Sequence, residues 1–578
     1  MSYQTELPPL DLDLDLEALE RAVAPTPRER LERARQRLGA RFRRDRLDLT
    51  VVSVLLVVAG WVHARGMYGS PARFDDEGTY TAYAWAVPNL HRLAHYTYWY
   101  AHPPLGQLQM ALYNEVTDAF GRLPYAVATG RELALVCKLI AVVLMFRLAR
   151  RLGFSRVTAT LAVCMFSLSP LAVYFQRTAL LDNLVTPWLL AAFFFAASPR
   201  RSIWAAAGSA ACFAVAVLSK ETALLFMPAV MLLFAQRTDS RNRKFTLTMF
   251  VSVVSLLGLL YPLYALIKNE LWDGPGHVSL EWAIRWQLFD RQGSGSIFDP
   301  GSTAHTVVTT WLSLDRWSCA VCLLAVVPGL LFTRTRAVAL AFAIQVGSLL
   351  RSGYLPYPFV IAMMPFAVLT FAGVVDVVWR WSRLSDRLPW GPAQARSRGH
   401  VTVTVLRTFV GASVASVVVA LAVLAAPSWR YGLQDLWTHD RDAGKATALS
   451  WLKSSTGRDQ TLVVDDAFWV DLVRDGHPAR KVIWFTKLDV DKDVDLPAKA
   501  PWRHIDYVVL DHQDALSVHL NSDLTPSPDT KNLFPTLGQA LEHGRIVASF
   551  GAPQDRVMIW RVSHTGASAA VAAGTATP

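Results

Sequence analysis

Eleven apolar blocks, separated by short polar or cationic turns, leave this 578-residue chain few ways to fold. Lipid offers no partner for backbone N–H and C=O groups, so a segment crossing it must be helical, and a hydrocarbon core of roughly 30 Å calls for about 20 residues. The blocks lie at Leu49–Ala64, Glu132–Leu148, Val157–Tyr174, Ala179–Ala197, Ile203–Leu218 and Thr222–Ala235. They continue at Phe245–Leu266, Leu314–Phe332, Ala337–Leu350, Tyr357–Val378 and Val401–Ala426. Several are short for a full crossing, and the division at Ser219-Lys220-Glu221 is the least marked. With 52% apolar residues gathered in blocks, the expected fold class is mostly α: a polytopic membrane protein of about eleven transmembrane helices.

Cationic segments resist translocation, so short loops rich in Arg and Lys mark the cytoplasmic side. The stretch before the first block holds Arg28, Arg30, Arg33, Arg35, Arg37, Arg41, Arg43, Arg44 and Arg46, and every second loop repeats the signal, from Arg150-Arg151 to Arg396 and Arg398. This predicts a plasma-membrane protein with a cytoplasmic N-terminus and, after an odd number of crossings, an extracytoplasmic C-terminus. The net charge of +11 is then a topology signal and a contact with membrane lipids, which argues against a nucleic-acid partner. The first block lacks a small-residue cleavage site and reads as a retained anchor. Cys319 and Cys322 have CxxC spacing but no second ligand pair, and read as helix-packing residues.

Four regions follow. Residues 1–47 form a basic cytoplasmic arm, 48–427 the transmembrane domain, 428–565 an extracytoplasmic small α/β domain and 566–578 a disordered tail. Two extracytoplasmic loops interrupt the second region. Loop 65–130 carries His95-Tyr-Thr-Tyr-Trp-Tyr100, and its apolar stretches suit helices lying in the membrane interface. Loop 268–313 carries Gly274-Pro275-Gly276 and Gly293-Ser294-Gly295-Ser296, hinge chemistry suited to a lid. Beyond residue 428 the periodicity predicts helices at 441–453 and 536–542 and strands at 461–464, 481–484, 507–510, 546–550 and 557–560. Asp465-Asp466 after the first strand reads as a helix cap, with a ligand site as its rival, and the domain is expected to shape acceptor access.

Sorting ionisable residues by membrane face gathers Asp75, Asp76, Glu77, Arg177, Asp182, Lys220, Glu221, Arg351 and Tyr354 on the outward side. Charges near a bilayer boundary are costly, about 2.5–3.5 kcal/mol at a helix centre, so they pair or serve a site. Interfacial snorkelling and ion pairing among helix ends is the competing explanation.

Asp76-Glu77 soon after the first block, then Tyr100-Ala-His-Pro-Pro-Leu-Gly106, then Arg177-Thr-Ala-Leu-Leu-Asp182, resembles the GT-C superfamily of polyprenyl-phosphate-sugar-dependent glycosyltransferases. The protein O-mannosyltransferase and aminoarabinose transferase branch is the most similar, and the likeness runs from the first block to about Leu369. The resemblance implies an integral membrane glycosyltransferase that moves a sugar from a polyprenyl-phosphate-linked donor to an extracytoplasmic hydroxyl with inversion, the acceptor being glycan, lipid or protein. It implies Asp76 as general base, with Asp75 as rival and Glu77 either positioning the acceptor or pairing with a cation. Arg177, Lys220 and Arg351 become candidates for the donor phosphate, with Asp182 as a partner for Arg177, and Tyr354 and His102 as further hydrogen-bonding groups. No cofactor is required, although the Asp75, Asp76 and Glu77 cluster could take a divalent cation. A transporter or flippase of lipid-linked sugars is the alternative, since it too needs cations for phosphate, and a catalytically silent scaffold is a third.

Overall fold

The computed structural model describes residues 27–198, 203–382 and 398–564. The readings made for residues 1–26 of the arm and for the tail therefore lie outside the described residues. By compactness the chain divides after Val54, and the sheet and the candidate site lie in the unit from Leu55 onward.

All eleven apolar blocks fall on helix. The described chain opens with α1 (Pro27–Ala64), followed by α2 (Asp75–Leu90), α3 (Leu105–Thr117), α4 (Ala126–Leu152), α5 (Arg156–Leu168), α6 (Pro170–Gln176), α7 (Leu181–Ala196) and α8 (Ile203–Ser219). After a 3₁₀ turn at Glu221–Phe226 come α9 (Met227–Arg237), α10 (Ser240–Gly258), α11 (Leu260–Ile267), α12 (Thr303–Leu324), α13 (Val326–Leu331), α14 (Arg336–Leu349), α15 (Val360–Ser382) and α16 (Arg398–Thr438). Among the described residues, five helical segments are long and apolar enough to cross a membrane, six if the α5–α6 pair counts as one span. That pair bends by 62° because Pro170 at the start of α6 has no N–H to continue the ladder. Helix α4 stops where Gly153, at φ 95°, takes the left-handed conformation that closes the last turn. The protein is thus a mostly helical, multi-pass membrane protein.

Helix α16 runs without a break past residue 428, and the first element of the water-soluble part is α17 (Ala443–Ser455). Strands β1 (Leu462–Val464), β2 (Val482–Trp484), β3 (Tyr507–Asp511), β4 (Gly544–Phe550) and β5 (Val557–Val562) then form one sheet in the order β2-β1-β3-β5-β4. The first three are parallel and the last two join antiparallel. Helix α18 (Asp466–Arg474) follows β1 and buries Phe468, Trp469 and Leu472 against one face of the sheet.

Within loop 65–130, helix α2 packs against the sheet domain. Helix α2 buries Glu77 to Thr81, Ala82, Ala84 and Ala86, because Gly78 and the alanines present so little side chain that α18 can pack directly on the backbone. A Cβ at Gly78 would stand 2.2 Å from the Ala467 nitrogen and 2.3 Å from the Asp466 carbonyl carbon. Gly78→Ala is accordingly expected to destabilise the protein by about 1–3 kcal/mol, the usual cost of overpacking, read as a lowered thermal unfolding midpoint.

Candidate functional site

Helix α2 begins with three consecutive carboxylates, favourable at the positive end of a helix dipole, and at 100° per residue they face three different neighbourhoods. Asp76 faces Lys220, His102 and Arg291, with Asp182 beyond. Burial raises its pKa while Lys220, His102 and Arg291 oppose the rise. Its backbone N–H donates to the Asp75 carboxylate at 2.8 Å. Asp75 looks the other way, toward Asp465 and Lys445 of the water-soluble part, and burial, Asp76 and Asp465 together hold it well above the ordinary carboxylate range. The two rivals for the base are therefore distinguished by environment: one lies among cations, and the other is driven toward its neutral form.

Glu77 is fully buried and grips Arg131 with both oxygens, at 2.9 and 2.6 Å, while also accepting the Ala179 N–H at 2.7 Å. Of the two roles read for it, the structure gives it the cation pair and leaves it no free edge for a substrate. Arg131 in turn donates to the Met67 and Pro71 carbonyls, so the pair fixes the chain entering α2.

Arg177 requires correction. It was expected either to hold a donor phosphate or to pair with Asp182, and it does neither. The side chain is fully buried and donates to three backbone carbonyls, Ser70 at 3.1 Å, Leu436 at 3.2 Å and Val62 at 3.1 Å. It thereby ties the end of α1 to the end of α16, satisfying C-terminal carbonyls that a helix leaves unpaired. Asp182, in the first turn of α7, instead receives Lys220 at 2.6 Å, both 4% exposed. Burial disfavours the Lys220 ammonium, but Asp182, Glu221 and Asp76 outweigh it and its pKa is raised. Arg351 is exposed, with its guanidinium folded over Gly353 of its own loop.

His102 lies where its Nδ1 is 2.9 Å from the Glu221 carboxylate, with its ring 6.1 Å from that of Tyr80 on α2. Tyr354 carries the guanidinium of Arg291 on its ring face, 3.3 Å from the centroid. Arg291 went unnoticed in the sequence, where it was one residue of a long loop. The loop is pinned in place: Ser294 N–H donates to the Gly353 carbonyl at 3.2 Å and its hydroxyl accepts the Leu355 N–H at 2.9 Å. A Cβ at Gly293 would stand 2.3 Å from the Ser352 oxygen, so the glycine permits the approach. The nearest signal was this Gly-Ser run two residues after Arg291, which marks a tight contact as readily as a hinge.

Because Asp75, Asp76 and Glu77 diverge, they do not offer one cation three ligands. Among the described residues the carboxylates close enough to do so are Asp465, Asp511 and Asp514. Lys445 sits between them, at 2.5 Å from Asp465 and 2.9 Å from Asp511, and supplies the compensating charge itself. Asp465 also caps α18 by accepting the Ala467 N–H at 2.8 Å, the capping role read from the sequence.

Residues 101–264 match the family model of dolichyl-phosphate-mannose-protein mannosyltransferase. A sequence search of curated proteins finds no match. Among solved structures, ArnT from Cupriavidus metallidurans bound to undecaprenyl phosphate is similar with a TM-score of 0.52 at 16% identity, over 89% of this chain and 97% of that one. The archaeal oligosaccharyltransferase AglB from Archaeoglobus fulgidus, in complex with an inhibitory peptide and a dolichol-phosphate, also gives 0.52, at 11% identity over 88% and 80%. These likenesses are of fold. The mannosyltransferase and oligosaccharyltransferase matches lend the flippase alternative no support. The matched segment contains His102, Arg177, Asp182 and Lys220; over that segment the chain is similar to the protein mannosyltransferases, and in fold it is similar to ArnT and AglB.

Proposed function

We propose that the protein transfers a sugar from a polyprenyl-phosphate-linked donor to an acceptor hydroxyl on the extracytoplasmic face of the plasma membrane, with Asp76 as general base. The observation that carries this is the setting of Asp76: a half-buried carboxylate in an arc of Lys220, His102 and Arg291, while Asp182 and Glu221 already occupy Lys220 and His102. Lipid-phosphate binding by ArnT and AglB supports the donor class. The acceptor O–H gives its proton to Asp76, its oxygen attacks the anomeric carbon, and the bond from that carbon to the phosphate oxygen breaks with inversion. Arg291, Lys220 and His102 hold the phosphate and stabilise the negative charge that develops on it, and Tyr354 orients Arg291. Orientation is part of the proposal: eleven crossings, a cytoplasmic N-terminus, and Asp76 and the sheet domain outside.

Purified protein given a radiolabelled polyprenyl-phosphate sugar and membrane extract should form labelled product; failure to cleave the donor under any acceptor would sink the reading. Two quantitative outcomes follow from Arg291. Removing a charged hydrogen-bonding partner costs about 1.5–3 kcal/mol, so Arg291→Ala should raise the donor KM or lower kcat/KM by roughly 10- to 100-fold. Arg291 also stabilises the Asp76 carboxylate. Without it the Asp76 pKa, which burial already raises, rises further, and the acid limb of the pH–rate profile should move to higher pH. A profile unmoved by the substitution would separate Arg291 from the base.

A further inference from the structure

His102 spends its Nδ1 on the Glu221 carboxylate at 2.9 Å, so it can meet a donor phosphate only through Nε2, and the backbone carrying the ring decides where that nitrogen points. That backbone is held from a distant part of the chain. Asp491, shortly after β2, is buried and accepts from the Thr97 hydroxyl at 2.9 Å and the Trp99 Nε1–H at 3.1 Å. The Asp493 N–H fixes the same carboxylate at 3.0 Å. Lys487, in the 3₁₀ turn Phe485–Lys487, lies 3.6 Å from the Asp491 carboxylate and 3.6 Å from the centroid of the Trp99 ring. Carboxylate and ammonium thus close on residues 97 and 99 from the side of the sheet domain. Between those residues stands Tyr98, whose hydroxyl donates to the His102 carbonyl at 2.5 Å.

This stretch of chain needs such a grip. Tyr100 has φ 54°, a left-handed conformation that a bulky residue keeps only where its surroundings over-determine it. Part of that constraint comes from loop 268–313 and α11: the Tyr100 hydroxyl donates to Glu270 at 2.6 Å and the Tyr261 hydroxyl to the Tyr100 carbonyl at 3.1 Å. The rest is Asp491 on Thr97 and Trp99. The structure assigns Asp491 as a positioning residue for His102, acting through residues 97–102, whose strained course aims Nε2 at the donor phosphate. The assignment rests on the transferase reading above and adds to it a residue of the sheet domain, outside the segment that matches the mannosyltransferase family.

The test measures kcat/KM for donor cleavage by the full-length protein in nanodiscs, with radiolabelled polyprenyl-phosphate mannose and polyprenyl-phosphate arabinose as donor probes and membrane extract as acceptor. Two variants open the grip by different routes. Asp491→Ala removes the acceptor, whereas Thr97→Val/Trp99→Phe removes the donors and leaves the Asp491 and Lys487 charges together. Each is made in the wild type and in His102→Ala. In the wild-type background each should lower kcat/KM about ten-fold or more. In the His102→Ala background, where no imidazole is left to aim, each should lower it less than about two-fold. A merely structural role predicts the same fold loss in both backgrounds. The assignment is overturned by equal losses in the two backgrounds, by folded variants as active as the wild type, or by a His102→Ala protein that turns over as the wild type does. It is also overturned if both variants fail to accumulate as folded protein, since Asp491 would then hold the fold and not His102. A wild type that cleaves neither donor overturns the transferase reading instead.

Discussion

Asp76→Asn should lower sugar transfer by about 10²–10⁴-fold, the range that positioned general bases contribute, with the protein still accumulating in the membrane. The carboxylate is half-buried and faces cations already matched by Asp182 and Glu221, so an isosteric amide removes the proton acceptor at little structural cost. Asp75→Asn is the informative control. Burial, Asp76 and Asp465 already push Asp75 toward its neutral form, which asparagine imitates, so its effect on turnover should be far smaller. Radiolabel transfer and detergent-solution size-exclusion profiles of both variants decide the matter: equal losses would return the two carboxylates to rivalry, and an unaffected Asp76→Asn would remove the assigned base.

Arg131→Met should destabilise the protein by about 3–5 kcal/mol, because it strands a fully buried Glu77 carboxylate without its partner. The double variant Arg131→Met/Glu77→Gln should recover much of that loss, since no uncompensated charge then remains. Thermal unfolding midpoints and membrane yield measure both. A single variant as stable as the wild type would mean that the ion pair is not what holds the entry to α2.

The helical blocks and the elements of the sheet domain were readable because their signal is local: apolar runs of spanning length, and a change of period beyond residue 428 that places each strand within two residues of where it lies. Asp76, His102, Asp182, Lys220 and Tyr354 could be assigned to one neighbourhood because short turns leave a charged residue few places to go. Arg177 misled because a cation at a helix end suits a phosphate and a set of backbone carbonyls equally well, and only the approach of α1 and α16 decides between them. Arg291 was hidden by the length of loop 268–313, whose course is set by contacts with Gly353 and Leu355 that carry no periodic trace. Arg131 did carry a trace, as a cation at the threshold of an apolar block, where a charge requires a partner such as Glu77.

Since Thr79 donates to Asp466 at 2.6 Å and His95 lies 2.8 Å from the same carboxylate, the helix bearing the proposed base is clamped on its reverse side by the sheet domain. The domain is thus no appendage to be clipped off or exchanged at will. A chimera carrying a relative's C-terminal half would inherit an orphaned catalytic helix unless residues 75–95 travelled with the graft, and those residues and the domain should therefore change together as the enzyme diverges.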